Sequence, residues 1–244
     1  MTSPHRGDAG RPHRAPIDGR PAPEPPLSDR AEGPAGPAPA ASGQPWPAGG
    51  VRLVAAATAA APALLLRPWR AADAEELAGL YRDGLLRRWT NAVVEDPAGA
   101  ARWIEDQRRA WEDGERYAFA VLEDHRAREG GRLAGHVVLK RSGSAPTRAE
   151  VGYWTAAHAR GRGVAPRALA ALTAWAFAGP TGPGGPGLLR LELLHQVDNT
   201  ASCRVARKCG YALAATLPAA PPEFPGEGHR HVRTRIRTAD PRSA

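Results

Sequence analysis

The alternation of hydrophobic and polar residues predicts where this chain forms strands. Strand-like runs occupy residues 116–123, 131–141 and 148–156, and turn-forming residues separate them. Three consecutive strands with short connections favour an antiparallel meander. A shorter strand-like run lies at residues 64–69, and further strands are predicted at 188–195, from Tyr211 onward, and at 228–238.

Helical periodicity predicts two helices before the meander. The first spans residues 72–89, where Asp73 and Glu76 have the spacing of a capping box. The second begins at Asp96 and Pro97, an N-cap residue followed by a first-turn proline. One face of this second helix carries Ala101, Ile104, Arg108 and Trp111 at helical spacing.

Two more helices are predicted after the meander. One spans about residues 166–177, and the other lies within residues 198–211. In the second, Asn199 or Thr200 is suited to the N-cap, and Gly210 is suited to the left-handed conformation that often ends a helix.

Composition separates an N-terminal tail from the rest of the chain. Residues 1–62 contain about half of the 25 prolines and show no periodic apolar pattern. Such a segment cannot bury enough apolar surface to offset the entropy of ordering, so a disordered tail is predicted there and a folded domain over residues 63–240. The alternative is that the protein truly starts near Val51.

Charge and cysteine content narrow the function classes. The formal net charge of +8 favours acidic or phosphate-bearing partners. No dense basic run, recognition-helix pattern or zinc-finger pattern is present, which argues against a nucleic-acid partner. The only two cysteines, Cys203 and Cys209, lie too far apart on one predicted helix to form a disulfide. A reducing cytoplasm is therefore expected, and the apolar run 51–66 is too short to span a membrane.

A turn rich in arginine and glycine precedes the third predicted helix. Arg160, Gly161, Arg162 and Gly163 stand where the unpaired N–H groups of the helix start would lie, which is typical of an anion-binding turn. The turn is neither a Walker loop nor a dinucleotide fingerprint. No Lys-Ser/Thr pair follows the glycines, and Pro166 stands where the third fingerprint glycine would be.

Two motifs with the right separation identify a family resemblance. The first is Gln/Arg-x-x-Gly-x-Gly/Ala, matched by Arg160, Gly163 and Ala165. The second is Asn-x-x-Ser in the next helix with a closing Gly-aromatic pair, matched by Asn199, Ser202, Gly210 and Tyr211. With these motifs the chain resembles the GNAT acyltransferase superfamily, in the branch of the ribosomal-protein alanine N-acetyltransferases RimJ and RimL. The resemblance covers about residues 64–238.

The resemblance implies an α/β fold of the α+β type, with a mixed, mostly antiparallel sheet flanked by helices. It also implies an acetyl-CoA-dependent N-acetyltransferase. Coenzyme A pyrophosphate would be held by the turn residues Arg160, Gly161, Arg162, Gly163, Val164 and Ala165. A backbone N–H at Trp154 or Thr155 would polarise the thioester carbonyl, in a groove where the strands 148–156 and 188–195 part. Asn199 would contact the cofactor arm, and Ser202 would donate a hydrogen bond to the leaving sulfur.

The general base is Glu150 in this interpretation, with Glu192 and His195 as rivals. Alternation puts Glu150 on the same face as Gly152 and Trp154 unless a bulge intervenes. Many family members carry a tyrosine general acid where this chain has Ala206.

The acceptor is expected to be a primary amine, either a protein N-terminus or a small molecule. The alternatives are a GNAT-fold module that binds acyl-CoA without turnover and, with less support, a basic nucleic-acid-binding protein. No membrane partner is expected, and a homodimer is compatible with the sequence. No metal site is expected either, because His195, His229 and His231 have no carboxylate or cysteine at ligand spacing in the sequence.

Overall fold

A computed structural model describes residues 51–90, 94–123, 131–141, 145–179, 184–221 and 225–236. Within these residues, eight strands form one sheet in the order β1-β2-β3-β4-β5-β6-β8-β7. The strands are β1 (Leu53–Ala55), β2 (Leu64–Pro68), β3 (Arg116–Glu123), β4 (Arg132–Arg141), β5 (Arg148–Thr155), β6 (Arg190–Gln196), β7 (Ala212–Leu217) and β8 (Gly228–Thr234). The pair β5–β6 is parallel and every other neighbouring pair is antiparallel, which confirms the predicted fold class.

The helices are α1 (Ala74–Leu80), α2 (Gly84–Trp89), α3 (Pro97–Glu112), α4 (Val164–Phe177) and α5 (Thr200–Lys208). They cover both faces of the sheet. Helices α4 and α5 pack on one face, over a buried cluster that includes Phe119, Val137, Val151, Leu169 and Leu172. Helices α1 to α3 pack on the other face, over a cluster that includes Leu77, Ile104, Ala118, Val138 and Trp154.

The prediction of one continuous helix over residues 72–89 is wrong. The chain breaks at residues 81–83 between α1 and α2, and the Asp83 side chain starts α2 by accepting a hydrogen bond from the Leu85 amide at 3.1 Å. Asp96 starts α3 as predicted, since its Oδ1 accepts from the Gly99 amide at 2.6 Å.

The predicted capping box at Asp73 and Glu76 is also wrong, because both carboxylates have partners elsewhere in the fold. Asp73 forms two hydrogen bonds with the Arg67 guanidinium, at 2.7 and 2.8 Å, and this ion pair is buried. Glu76 accepts a hydrogen bond from the Leu133 amide of β4 at 3.1 Å. These interactions tie the start of α1 to β2 and β4.

The buried face of α3 differs in part from the predicted one. Ile104 and Trp111 are buried as expected, whereas Ala101 and Arg108 are exposed and the remaining buried positions are Ala100 and Gln107. Arg108 stays at the surface, where its guanidinium pairs with carboxylates of the same helix.

The folded part of the chain begins before residue 63. Strand β1 pairs with β2, Val51 is buried, and Arg167 Nη2 of α4 donates to the carbonyls of Ala56 and Pro62 at 2.7 and 2.6 Å. The predicted tail boundary at residue 62 therefore lies inside this folded part. The remaining tail, residues 1–50, and the predicted domain end at residue 240 lie outside the described residues.

His136 on β4 gives the folded state a defined pH dependence. Its imidazole is buried beside Trp69, Trp103 and Trp154, and its Nδ1 lies 3.1 Å from the Trp69 Nε1 and 3.2 Å from the Phe119 carbonyl oxygen. Burial, followed by the nearby positive charge of Arg116, lowers the pKa of His136 from 6.5 to about 3.

We expect lower pH to destabilise the protein through His136. The unfolded chain takes up a proton near pH 6.5, while the folded protein keeps this imidazole neutral down to about pH 3. The unfolded state therefore binds more protons in this interval, and the free energy of unfolding falls by up to about 1.4 kcal/mol for each pH unit lowered.

Urea unfolding at several pH values between 4 and 7 measures this dependence. His136→Asn keeps an acceptor for Trp69 but removes the titrating group, so its stability profile is expected to be flatter than that of the wild type. Identical pH slopes in the two proteins would contradict the assignment.

Candidate active site

A groove opens in the middle of the sheet where β5 and β6 part. The parallel pairing runs from Arg148 with Arg190 to Val151 with Leu193 and stops there. Strand β5 continues to Thr155 and β6 to Gln196, so residues 152–155 and 194–196 form the two edges of the groove. The predicted separation of these strands is confirmed.

The backbone of β5 presents specific amides to this groove. The Ala156 N–H donates to the Ala134 carbonyl of β4 at 2.9 Å. Because successive N–H groups of a strand point to opposite sides, the Trp154 amide also points towards β4, whereas the Tyr153 and Thr155 amides point towards the groove. Of the two amides proposed from the sequence, the geometry favours Thr155.

Trp154 contributes its side chain to the other face of the sheet. It is buried, with its ring centroid 5.7 Å from that of His136 and 5.9 Å from that of Tyr81. Trp69 and Trp103 continue this aromatic group, their centroids 5.3 Å apart. The side of the sheet that bears α1 to α3 therefore has an aromatic lining next to β5.

The arginine- and glycine-rich turn connects β5 to α4. A short 3-10 turn at Ala157–Ala159 comes first. Gly161 then has φ +78° and Gly163 has φ +74°, in the left-handed region of backbone conformations that residues with a Cβ adopt only with strain. Gly163 is the N-cap of α4, and no side chain among the described residues caps the first amides of this helix. These amides, with the helix dipole behind them, are suited to binding an anion. Helix α4 begins at Val164, two residues before the predicted start.

The two arginines of the turn already have carboxylate partners. Arg160 pairs with Asp83, the N-cap of α2, and Arg162 Nη2 lies 2.5 Å from Glu123 Oε2 at the end of β3. Burial alone would raise the pKa of Asp83, but the hydrogen bond and charge of Arg160 and the hydrogen bonds from the Leu85 and Leu86 amides together hold the pKa below its ordinary value. Both arginines thus anchor the turn, and their contact with a cofactor stays a prediction.

Helix α5 starts beside the groove, directly after β6. Asn199 caps it as predicted, with Oδ1 accepting from the Ser202 amide at 3.2 Å. Ser202 is partly exposed in the first turn of the helix. The cap leaves the amide nitrogen of Asn199 and the hydroxyl of Ser202 to act as further hydrogen-bond donors.

Tyr153 is a site residue that the sequence analysis missed. Its hydroxyl is buried and, among the described residues, makes no hydrogen bond. Burial raises its pKa to about 12, an effect that the nearby Ser202 side chain partly opposes. Strand alternation could have identified it, because it places Tyr153 on the face opposite Trp154 and towards α4 and α5.

Glu150 lies on the predicted face of β5 with Gly152 and Trp154, because the pairing with β4 runs through this region without a bulge. Lys140 Nζ donates to its Oε1 at 2.6 Å. Trp154 is four residues further along the strand, about 13 Å at the usual rise. Glu150 therefore stands at the closed end of the groove, and its role as a general base stays a prediction.

The two rival bases occupy different places. Glu192 is the parallel neighbour of Glu150 and accepts from Arg190 Nε at 2.7 Å. His195 points to the α5 side, where the Cys203 Sγ lies 3.6 Å from its Nε2 and 3.2 Å from His229 Nδ1. The fold therefore brings Cys203 to these histidines, a proximity that spacing in the sequence does not indicate. Cys203 and Cys209 are both free, in agreement with the sequence analysis.

Residues 63–212 match the family model described as "Acetyltransferase (GNAT) domain". No curated protein sequence matches the chain.

No helix among the described residues has the length and apolar composition needed to cross a membrane.

Solved structures with the same fold include the following three. One is described as a putative ribosomal-protein-serine acetyltransferase from Vibrio cholerae, with 26% identity, a TM-score of 0.60, and coverage of 70% of this chain and 94% of the other. Another is Mycobacterium smegmatis RimJ in complex with CoA-disulfide, with 21% identity, a TM-score of 0.62, and coverage of 78% and 88%. The third is RimL, described as a ribosomal L7/L12 alpha-N-protein acetyltransferase in complex with coenzyme A, with 18% identity, a TM-score of 0.61, and coverage of 74% and 97%.

Proposed function

Because this chain belongs to the acetyltransferase (GNAT) family, we propose that it transfers an acetyl group from acetyl-CoA to a primary amine. The observation that carries this proposal is the groove between β5 and β6, which leads to the uncapped start of α4. The groove suits the extended arm of a coenzyme, and the amides of residues 160–165 suit its pyrophosphate. The RimJ and RimL structures with this fold are described as complexes of coenzyme A or its disulfide.

The proposed chemistry uses the groups along the groove. A neutral amine attacks the thioester carbonyl, and the Thr155 N–H donates to the oxyanion that forms. Collapse of the tetrahedral intermediate forms the amide and releases the coenzyme A thiolate, which accepts a hydrogen bond from the Ser202 hydroxyl and takes its proton from water. Ser202 takes this role because Ala206 stands at the position of the family's tyrosine acid. Glu150 receives the proton of the attacking amine through bound water.

We propose the N-terminal α-amine of a protein as the acceptor, with a small amine as the alternative. The names of the RimL structure and of the Vibrio cholerae structure support a protein acceptor. The aromatic group of Trp69, Trp103, Tyr81 and Trp154 lies on the side of β5 from which an acceptor reaches the groove. The two free cysteines are in keeping with a cytoplasmic reaction.

Calorimetric titration of acetyl-CoA into the full chain tests the proposal, with a short DNA duplex as the control ligand. We expect a Kd in the micromolar range or tighter, about −8 kcal/mol, and no binding to the duplex. Peptides with free and with blocked N-termini are then incubated with acetyl-CoA and analysed by mass spectrometry. A gain of one acetyl group on the free N-terminus alone is the expected result. Binding without transfer to any amine would favour a non-catalytic module, and absence of binding would contradict the proposal.

Ser202→Ala is expected to lower kcat by about 100-fold while the KM for acetyl-CoA changes by less than about threefold. The reason is that the hydroxyl serves the leaving thiolate, which carries charge only after the transition state begins to form. Thr200→Ala is the matched control, because Thr200 is an exposed hydroxyl in the same first turn of α5. Steady-state kinetics measure both variants. An equal loss of kcat and of cofactor affinity in Ser202→Ala would reduce Ser202 to a binding role.

A further inference from the structure

Three histidines and one cysteine meet on the sheet face below α5. His195 belongs to β6, His229 and His231 belong to β8, and Cys203 belongs to α5. His195 is the cross-strand partner of His229, which brings the two strands' side chains together on this face. One ligand atom of each of the four residues lies within 4.8 Å of the other three.

In His195 and His231, a hydrogen bond at Nδ1 leaves Nε2 with a free lone pair. His231 Nδ1 lies 3.3 Å from the Tyr211 carbonyl, and His195 Nδ1 lies 2.7 Å from the Gln196 carbonyl. A carbonyl accepts, so each Nδ1 carries the hydrogen and each Nε2 presents a lone pair. This is the tautomer that binds a metal through Nε2, with a backbone carbonyl orienting the ring.

Packing alone leaves this cluster with an unsatisfied polar atom. His231 is 1% exposed, and among the described residues its Nε2 has no hydrogen-bond partner. The Cys203 thiol has one hydrogen, so it cannot donate to His195 and His229 at the same time.

We propose that His195, Cys203, His229 and His231 bind one zinc ion. In a tetrahedral zinc site the nitrogen and sulfur ligands lie about 3.4–3.6 Å from one another, given Zn–N and Zn–S bonds of about 2.0–2.1 and 2.3 Å. The Cys203 sulfur is 3.2 Å from His229 Nδ1 and 3.6 Å from His195 Nε2, so small side-chain adjustments complete the site.

The site has the character of a structural zinc centre. Four protein ligands fill a tetrahedral shell and leave no position for a reacting water. The ion joins the first turn of α5 to β6 and β8, and Cys203 directly follows Ser202. Zinc thereby holds the start of α5 beside the groove. Zinc binding does not require acetyl transfer to take place, so it is measured separately.

Cobalt titration of the full chain, after metal removal with a chelator, tests the proposal. We expect one Co²⁺ per chain, with the absorption bands of tetrahedral coordination and a thiolate-to-cobalt charge-transfer band, and displacement by one equivalent of Zn²⁺. Cys203→Ala is expected to lose the charge-transfer band and to weaken binding at least 100-fold. Cys209→Ala is the matched control, because its buried sulfur lies 3.2 Å from the Pro166 carbonyl and away from the histidines, and it is expected to keep both properties.

A second variant guards against misfolding of Cys203→Ala. His229→Gln changes a partly buried residue, and circular dichroism establishes that the variant is folded before its cobalt affinity is measured. It is expected to bind Co²⁺ at least 10-fold more weakly than the wild type. Absence of stoichiometric Co²⁺ and Zn²⁺ binding by the wild type, an octahedral spectrum, or unchanged binding in both ligand variants would overturn the proposal.

Discussion

Gly163→Glu is expected to abolish acetyl-CoA binding, with a loss of affinity of at least about 100-fold, or 2.7 kcal/mol. Gly163 has φ +74° and is the N-cap of α4, so its substitution changes the turn proposed to hold the cofactor's pyrophosphate. A glutamate there adds a negative charge where phosphate oxygens would approach the helix N-terminus. Calorimetric titration with acetyl-CoA measures the loss.

Gly114→Glu is the matched control for this substitution. Gly114 also has a positive φ, +72°, but lies between α3 and β3, outside the proposed cofactor site. Both variants are expected to lose similar folding stability, about 1–2 kcal/mol, because both force a side chain into the left-handed region. Only Gly163→Glu is expected to lose cofactor affinity. Retained affinity in folded Gly163→Glu would show that the pyrophosphate binds elsewhere.

Asp73→Ala is expected to lower the free energy of unfolding by about 3–5 kcal/mol. Asp73 and Arg67 are 8% and 5% exposed, and two hydrogen bonds join them. Removing the carboxylate leaves the guanidinium buried without its counter-charge. The resulting loss in the free energy of unfolding is larger than the net contribution of the intact ion pair. The midpoint and slope of urea unfolding measure the change.

An exposed ion pair provides the comparison for Asp73→Ala. Asp198 pairs with Arg88 at 3.0 Å, and both side chains are more than half exposed, at 56% and 62%. Asp198→Ala is expected to cost less than about 1 kcal/mol. Similar losses in the two variants would mean that burial does not determine the cost. The double variant Arg67→Met, Asp73→Leu is expected to recover part of the stability, since it leaves no unpaired charge.

Local signals in the sequence predicted many of the elements. Strand-like runs separated by turn-forming residues identified β3, β4 and β5, and the side chains of Asp96 and Asn199 start α3 and α5 as their residue types indicate. These signals are reliable because the interacting groups lie within a few residues of each other. The capping box at Asp73 failed because the Arg67 guanidinium and the Arg70 amide both donate to the same carboxylate, which a match to the capping-box spacing does not take into account.

The sequence by itself determined the type and order of most elements, the glycine turn before α4, and the family to which the motifs point. Only the tertiary structure decided that the Thr155 amide rather than that of Trp154 faces the groove, because this depends on which strand takes the neighbouring hydrogen bonds. Only the tertiary structure assembled His195, Cys203, His229 and His231. Strand pairing and burial join residues that are distant in the chain, and no local pattern records which of them meet.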